Sequence, residues 1–248
     1  MRVAVIGATG NAGTAVLRAL ADSPEVESIV GVARRVPEAG GEPYDGCEWK
    51  SIDIAAATPK DEAVADLTAA FEGADAVIHL AWLIQPNEDR ELLRRVNVEG
   101  TERVLEAAAA AGVGRVVVAS SVGAYSPDPA RGGDGEAPLR DETWPTGGIE
   151  SSHYSVDKAG QLLGHGKPPA LPLPRGLRFQ AVHSDDVGRA YALAAVKGIG
   201  GAFNICADDV VTAGDVADIL GKGRTVELPV ATVRAALAAA HRTGVVAA

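Results

Sequence analysis

The chain has 248 residues, enough for one domain or two small ones, and 47% of them are hydrophobic, as a protein with a real core requires. A net charge of −10, from acidic residues scattered along the chain rather than run together, gives a nucleic-acid partner no electrostatic support. No apolar run approaches the roughly 20 residues of a membrane span, the first apolar run is too short for a secretory leader, and Cys47 and Cys206 lie far apart with no metal spacing; a soluble cytoplasmic protein with reduced thiols and no metal site is expected.

Val3-Ala4-Val5-Ile6 has the length of a buried strand and runs into Gly7-Ala8-Thr9-Gly10-Asn11-Ala12-Gly13. A helical pattern follows, with Val16, Leu17 and Leu20 on one face. Strand, glycine turn and helix in that order is a layout that holds a pyrophosphate on a helix N-terminus. Gly7 allows a tight turn, Gly10 lets the backbone approach phosphates, and Gly13 lets the helix pack close to the strand.

Ile29-Val30-Gly31-Val32-Ala33 reads as a second buried strand and ends in Arg34-Arg35. In a dinucleotide fold this strand end sits beside the adenosine ribose. Ala33 stands where an acidic residue would bind both ribose hydroxyls of NAD, and the two arginines suit a 2′-phosphate, so NADP is favoured over NAD. Residues 36–50 are rich in Gly, Pro and Glu and read as loop, and the third strand is expected at Ser51-Ile52-Asp53-Ile54. A helix follows from about Lys60 to Phe71, then a fourth strand, Ala76-Val77-Ile78-His79-Leu80-Ala81. His79 has no partner of metal-ligand spacing and reads as a core or cofactor-lining residue. A long helix from about Asp89 to Ala111 carries Asn97 in its middle, where propensity does not favour an Asn. The fifth strand, from Arg115, runs into Ser120-Ser121. After a loop over 126–148 comes a helix carrying Tyr154 and Lys158, which share one face at i and i+4. Strands and helices alternate throughout, so right-handed crossovers give an α/β doubly wound parallel sheet.

The set GxxGxxG at Gly7–Gly13, His79-Leu80-Ala81, Asn97-Val98-Glu99-Gly100-Thr101, a serine pair at a strand end and Tyr154-x-x-x-Lys158 resembles the extended short-chain dehydrogenases/reductases, the NAD-dependent epimerase/dehydratase-like proteins. The resemblance implies a Rossmann domain over 1–160 that carries the catalytic residues, and a small, shortened substrate-binding part over 161–248 interleaved with it. It implies cofactor contacts at Gly7, Thr9, Gly10, Asn11, Ala12 and Gly13, at Arg34 and Arg35, at Asp53 and Ile54, at Leu80 and Ala81, and at Tyr154 and Lys158. Asp53 would face the adenine amino group, and Lys158 would also hold the nicotinamide ribose. Ser121, Tyr154, Lys158 and Asn97 would be the catalytic set. A nearby ammonium lowers a phenol's pKa from about 10, which makes Tyr154 a usable proton donor and acceptor. Ser121 would orient the substrate oxygen, and is preferred to Ser120 because Ser121-Val122-Gly123-Ala124-Tyr125 matches Ser-x-x-x-Tyr. A homodimer is the oligomer the resemblance implies.

Beyond Lys158 the resemblance breaks. The stretch 164–174 is too short and too rich in Pro to hold a central strand. Either the chain is a short form, or a segment is left out between about Leu163 and Pro168. The second reading is preferred, and it predicts a spatial break or strained join there. The match resumes at Phe179–Val187, with a helix through Arg189 to Val196, a strand at Gly201–Ile205, and a helix over Thr212–Leu220 capped by Thr212 with Asp215 at its third position. Asp185 and Asp186 read as helix-start residues rather than as acid and base. Residues 231–248 read as a short Ala-rich helix that ends earlier than the resemblance leads one to expect.

The expected function is that of an NADP-dependent oxidoreductase acting on the alcohol or ketone of a small organic molecule. The alternatives are a nucleotide-sugar epimerase or dehydratase with tightly bound NAD and, more remotely, a non-catalytic dinucleotide sensor.

Overall fold

A computed structural model describes residues 1–38, 41–83, 89–121, 124–126, 140–145, 171–220, 224–233 and 235. The chain forms two compact units, Met1–Ser121 with His183–Ile205, and Val122–Val182 with Cys206–Ala248.

The first unit holds a five-stranded parallel sheet. Its strands are β1 (Arg2–Ile6), β2 (Ser28–Ala33), β3 (Cys47–Ser51), β4 (Ala76–His79) and β5 (Arg115–Val118), in the order β3-β2-β1-β4-β5. β1, β2 and β4 are continuous apolar runs because both faces of the sheet are covered. Helix α1 (Asn11–Ala21) and helix α5 (Ser184–Lys197) build one core with Val3, Val5, Leu17, Leu20 and Ile78. On the other face lie α2 (Lys60–Ala70) and the run α3 (Arg90–Arg94), a π-helical turn (Arg95–Glu99) and α4 (Gly100–Ala110). There Leu67, Phe71 and Val104 pack on Ala4, Ile6, Val30 and Val77. Full burial of a side chain such as Leu67 or Phe71 contributes about 2 kcal/mol. Helices α1 and α5 touch at Gly188, where a Cβ would come within 2.5 Å of the Ala15 carbonyl. The doubly wound parallel sheet is therefore present, and the strand order reverses on either side of β1, the place where such sheets bind ligands.

Two strand expectations change, and the expectation of no central strand in the Pro-rich stretch holds. The third strand lies at Cys47–Ser51, inside the stretch read as loop, and stops before Asp53. It is an edge strand, so it needs no apolar run; Glu48 is tied to Arg2 and Lys50 at the surface while Trp49 packs inward on Gly31. Gly201–Ile205 forms no strand; Phe203 and Ile205 are exposed and pair with no strand among the described residues. Residues 171–174, inside the Pro-rich stretch, do form a strand, but outside the central sheet.

That strand, β6 (Leu171–Pro174), belongs to the second unit and pairs in parallel with β9 (Thr225–Leu228). Prolines at 172 and 174 are compatible with a two-stranded ladder, where one side of the strand needs no donors. β7 (Arg178–Phe179) pairs antiparallel with β8 (Val211–Thr212), which leads into α6 (Ala213–Leu220). The predicted cap of α6 is present: Thr212 Oγ1 donates to Asp215 Oδ2 at 2.6 Å and accepts from the Asp215 N–H at 3.4 Å. Residues 230–233 are helical, the start of the expected Ala-rich helix; the rest of that helix lies outside the described residues. Among the described residues both cysteines are free, and no helix is long and apolar enough to cross a membrane.

Candidate functional site

The glycine turn sits at the C-terminal end of β1. The Gly7 N–H donates to Val32 O at 2.9 Å, which seats the turn beside the end of β2. Gly7 has φ of +84°, and a Cβ there would lie 2.9 Å from the Ala81 nitrogen. A Cβ at Gly13 would overlap Gly7 O and come within 2.6 Å of the Ala8 carbonyl. Protein contacts alone thus demand glycine at both positions. At Gly10 they do not: φ is −76°, and a Cβ would meet only Gly7 O, at 3.4 Å. Gly10 is also the N-cap of α1, gives no side-chain cap, and is followed by no acidic residue in the first turn. Among the described residues the leading N–H groups of this helix have no side-chain acceptor, an arrangement that suits an anion. Thr9, Gly10 and Asn11 are exposed and Ala12 is half-buried beside them.

The turn is braced from a stretch that carried no sequence signal. Thr14 Oγ1 donates to Gly10 O at 3.0 Å, so it accepts from the Tyr44 phenol, 2.8 Å away. Tyr44 leans on Trp49 with ring centroids 5.8 Å apart, and Trp49 fills the space above Gly31, where a Cβ would fall 2.6 Å from the ring.

Arg34 and Arg35 lie just past β2, exposed, and neither side chain has a hydrogen bond or ion pair among the described residues. Ala33, in the position an NAD-binding acid would take, is buried. Asp53 is exposed two residues beyond β3; its Oδ1 accepts the Ala55 N–H at 2.9 Å. Ile54 turns its side chain into the core, so only its backbone is available to a ligand. A feature the sequence reading missed lies behind it: Arg103 of α4, 8% exposed, donates to Ile54 O and Ala56 O at 2.9 and 3.0 Å.

A second network runs from β4 to its exit loop. His79 is buried, and its Nε2 lies 3.0 Å from Thr101 Oγ1. Thr101 gives its own proton to Asn97 O at 2.8 Å, so His79 Nε2 must be the donor and Nδ1 carries no hydrogen. Nδ1 has no partner among the described residues. Burial pushes the imidazole pKa down to about 4, so the ring is neutral and serves the core. Asn97 lies in the π-helical turn, a distortion that recurs at functional sites. Its Oδ1 accepts the Leu83 N–H at 2.7 Å and its Nδ2 donates to Leu83 O at 3.1 Å. Both ends of the amide are taken up by one backbone unit, so Asn97 holds the stretch Ala81–Leu83 against the glycine turn. Leu80 N–H donates to Ile6 O at 2.9 Å and completes that seam.

Ser121 is exposed three residues past the end of β5, and Ala119 N–H donates to His79 O at 2.9 Å to anchor this end. Tyr154 and Lys158 lie outside the described residues, as does the expected join between Leu163 and Pro168. Asp185 and Asp186 are structural: His183 caps α5, Asp185 pairs with Arg18 at 3.0 Å, and Asp186 pairs with Arg189. Among the described residues no cluster of side chains has the makings of a metal site.

The model of the NAD dependent epimerase/dehydratase family matches residues 3–159. The chain belongs to this family. An uncharacterised protein of Mycobacterium tuberculosis is 30% identical over 235 residues, which are 90% of this chain and 23% of that protein. The L-arabinose 1-dehydrogenase (NAD(P)(+)) of Haloferax volcanii is 37% identical over 120 residues, 48% of this chain and 41% of that enzyme. The chain thus spans less than half the length of either curated relative. Among solved structures, the UDP-glucose 4-epimerase of Thermus thermophilus in complex with NAD shares the fold, with a TM-score of 0.65 at 18% identity over 92% of this chain and 86% of that one. In this member of the epimerase/dehydratase family the described residues fit a dinucleotide on three counts: a glycine at 10 that packing does not require, a helix start with no side-chain cap, and two arginines at the end of β2 that are unpaired among the described residues.

Proposed function

We propose that the chain is an NAD(P)-dependent oxidoreductase of the extended short-chain type. It prefers NADP and interconverts the alcohol and ketone of a small organic molecule. The observation that carries the cofactor preference is the exposed Arg34-Arg35 pair, without side-chain partners among the described residues, beside the strand end that receives the Gly7 N–H. A guanidinium there offers a 2′-phosphate two parallel hydrogen bonds, and no carboxylate stands at the end of β2 to favour a bare ribose. The arabinose dehydrogenase, whose name gives either cofactor, supports the class.

A bound nicotinamide dinucleotide would supply or accept the hydride. Tyr154 gives a proton to the carbonyl oxygen in reduction and takes it back in oxidation. Lys158, four positions on in the sequence, would favour the ionised phenol by its charge. Ser121 donates a hydrogen bond to the same oxygen and fixes its direction. Asn97 keeps the Ala81–Leu83 backbone in place beside the glycine turn. The second reading, a nucleotide-sugar epimerase or dehydratase with tightly held NAD, is favoured by the family membership and uses the same side chains.

Titration of the purified chain with NADPH and NADH, followed by turnover with candidate carbonyl substrates, tests the reading. NADPH is expected to bind more tightly, and replacing Arg34 and Arg35 together by Ala should weaken NADPH by roughly tenfold or more while NADH changes little. Tighter binding of NADH would remove the NADP preference. Product formed with no net change in nicotinamide absorbance would favour the epimerase. A Tyr154→Phe variant that keeps cofactor affinity should lose turnover; a wild-type chain that binds cofactor but turns over nothing would be a sensor.

A further inference from the structure

We propose that Arg103 is a positioning residue that sets the Asp53 carboxylate for an adenine amino group and so makes the site selective for adenine dinucleotides. This rests on the dinucleotide reading above.

Arg103 projects from α4 into the core, is 8% exposed, and makes no ion pair among the described residues. A guanidinium cannot shed its charge, and a buried one without a counter-ion is a poor source of stability. Its neighbours on the helix, Val104, Ala107 and Ala108, are core residues, so an apolar side chain at 103 would suit packing as well or better. The compensation is instead two backbone carbonyls: Nη1 donates to Ile54 O at 2.9 Å and to Ala56 O at 3.0 Å.

Those carbonyls bracket the turn that presents Asp53. Asp53 Oδ1 accepts the Ala55 N–H at 2.9 Å, and Asp53 O accepts the Ala56 N–H at 3.0 Å. Arg103 therefore closes from behind a turn whose front is the exposed carboxylate. Helix α4 holds the same turn a second time, through Ile54 against Gly100, where a Cβ would lie 2.9 Å from the Ile54 side chain. With Oδ1 committed to Ala55, Oδ2 is left for a ligand donor. A carboxylate oxygen suits the exocyclic amine of adenine and is repelled by the carbonyl oxygen of hypoxanthine. The direction of that oxygen, and hence the choice of base, depends on the turn that Arg103 holds.

The test compares NADPH with its hypoxanthine analogue, deamino-NADPH, on the intact chain by direct binding. Wild type is expected to favour NADPH by about tenfold, the difference of one good charged hydrogen bond. Asp53→Ala should bring the two ligands within about twofold of each other. Arg103→Met should do the same, and Arg103→Lys, which keeps the charge and a shorter donor, should fall between. A residue that merely held the fold would weaken both ligands equally and leave their ratio intact. Should Arg103→Met fail to fold, Arg103→Lys carries the comparison. An unchanged ratio in the Arg103 variants overturns the positioning role and leaves the dinucleotide reading standing. A wild-type chain that binds NADPH without regard to the base overturns it at Asp53. A wild type that binds no dinucleotide at all removes both.

Discussion

The two units of the chain are held together by different means. In the first, helices cover both faces of a parallel sheet, and two large clusters of fully buried aliphatic side chains lie on either side of it. In the second, the described core is Ala213, Val216 and Ala217, with Leu177 and Val211 against them, beside two short two-stranded ladders and a helix cap. The glycine turn, Arg34-Arg35 and Leu80-Ala81 follow strands that are packed on both sides. Among the described residues of the second unit, local polar contacts such as the Thr212 cap take a larger share, each worth little.

The strongest way to break this comparison is at the glycine turn. Gly13→Ala puts a methyl against the Gly7 and Ala8 carbonyls inside the packed unit. A loss of roughly 3 kcal/mol or more in urea unfolding is expected. Gly10→Ala, three residues away, should cost about 1 kcal/mol or less while weakening the dinucleotide. If Gly13→Ala unfolds no earlier than wild type, the first unit is not closed as described.

The next largest effect is on acid stability. The pKa of His79 falls from 6.5 to about 4 through burial, so the unfolded chain takes up the proton first. Its contribution is complete above pH 6.5 and is lost as pH falls toward about 4. The full loss is on the order of 3 kcal/mol. Urea unfolding at a series of pH values should show that slope in wild type and a flatter one in His79→Leu; equal slopes would mean the ring is not buried as a neutral group.

The smallest effect sharpens the other side. Thr212→Ala removes the hydroxyl that caps α6 and should cost about 1 kcal/mol. Hydrogen exchange should quicken at the α6 amides and stay the same on β1 and β4. A change on β1 as well would mean that the two units do not open separately.

Much of the site was legible along the chain because its logic is local. A buried strand, three spaced glycines and an amphipathic helix specify the glycine turn within about 20 residues, and Arg34-Arg35 announces itself by standing at the end of β2 without an acid. Asn97 was legible as a misfit, an amide in mid-helix, but its partner was not: Leu83 is met only through the backbone. Arg103 left no trace for the same reason, since backbone carbonyls have no residue signature and these two lie more than forty positions away. Strand β3 was hidden because an edge strand with Glu48 and Lys50 facing water looks like loop. The exposed pair Phe203 and Ile205 erred the other way, looking like a strand with no sheet to join.

By itself the order of residues determined a doubly wound parallel sheet and its glycine turn, because both follow from neighbours in sequence and from the period of the apolar positions. Only the tertiary structure decided which two of the three glycines answer to packing, and that His79 is a neutral core residue. It alone showed that Arg103 of α4 holds the Asp53 turn through two backbone carbonyls. Those facts depend on close approach between segments far apart in the chain, a distance that no local pattern encodes.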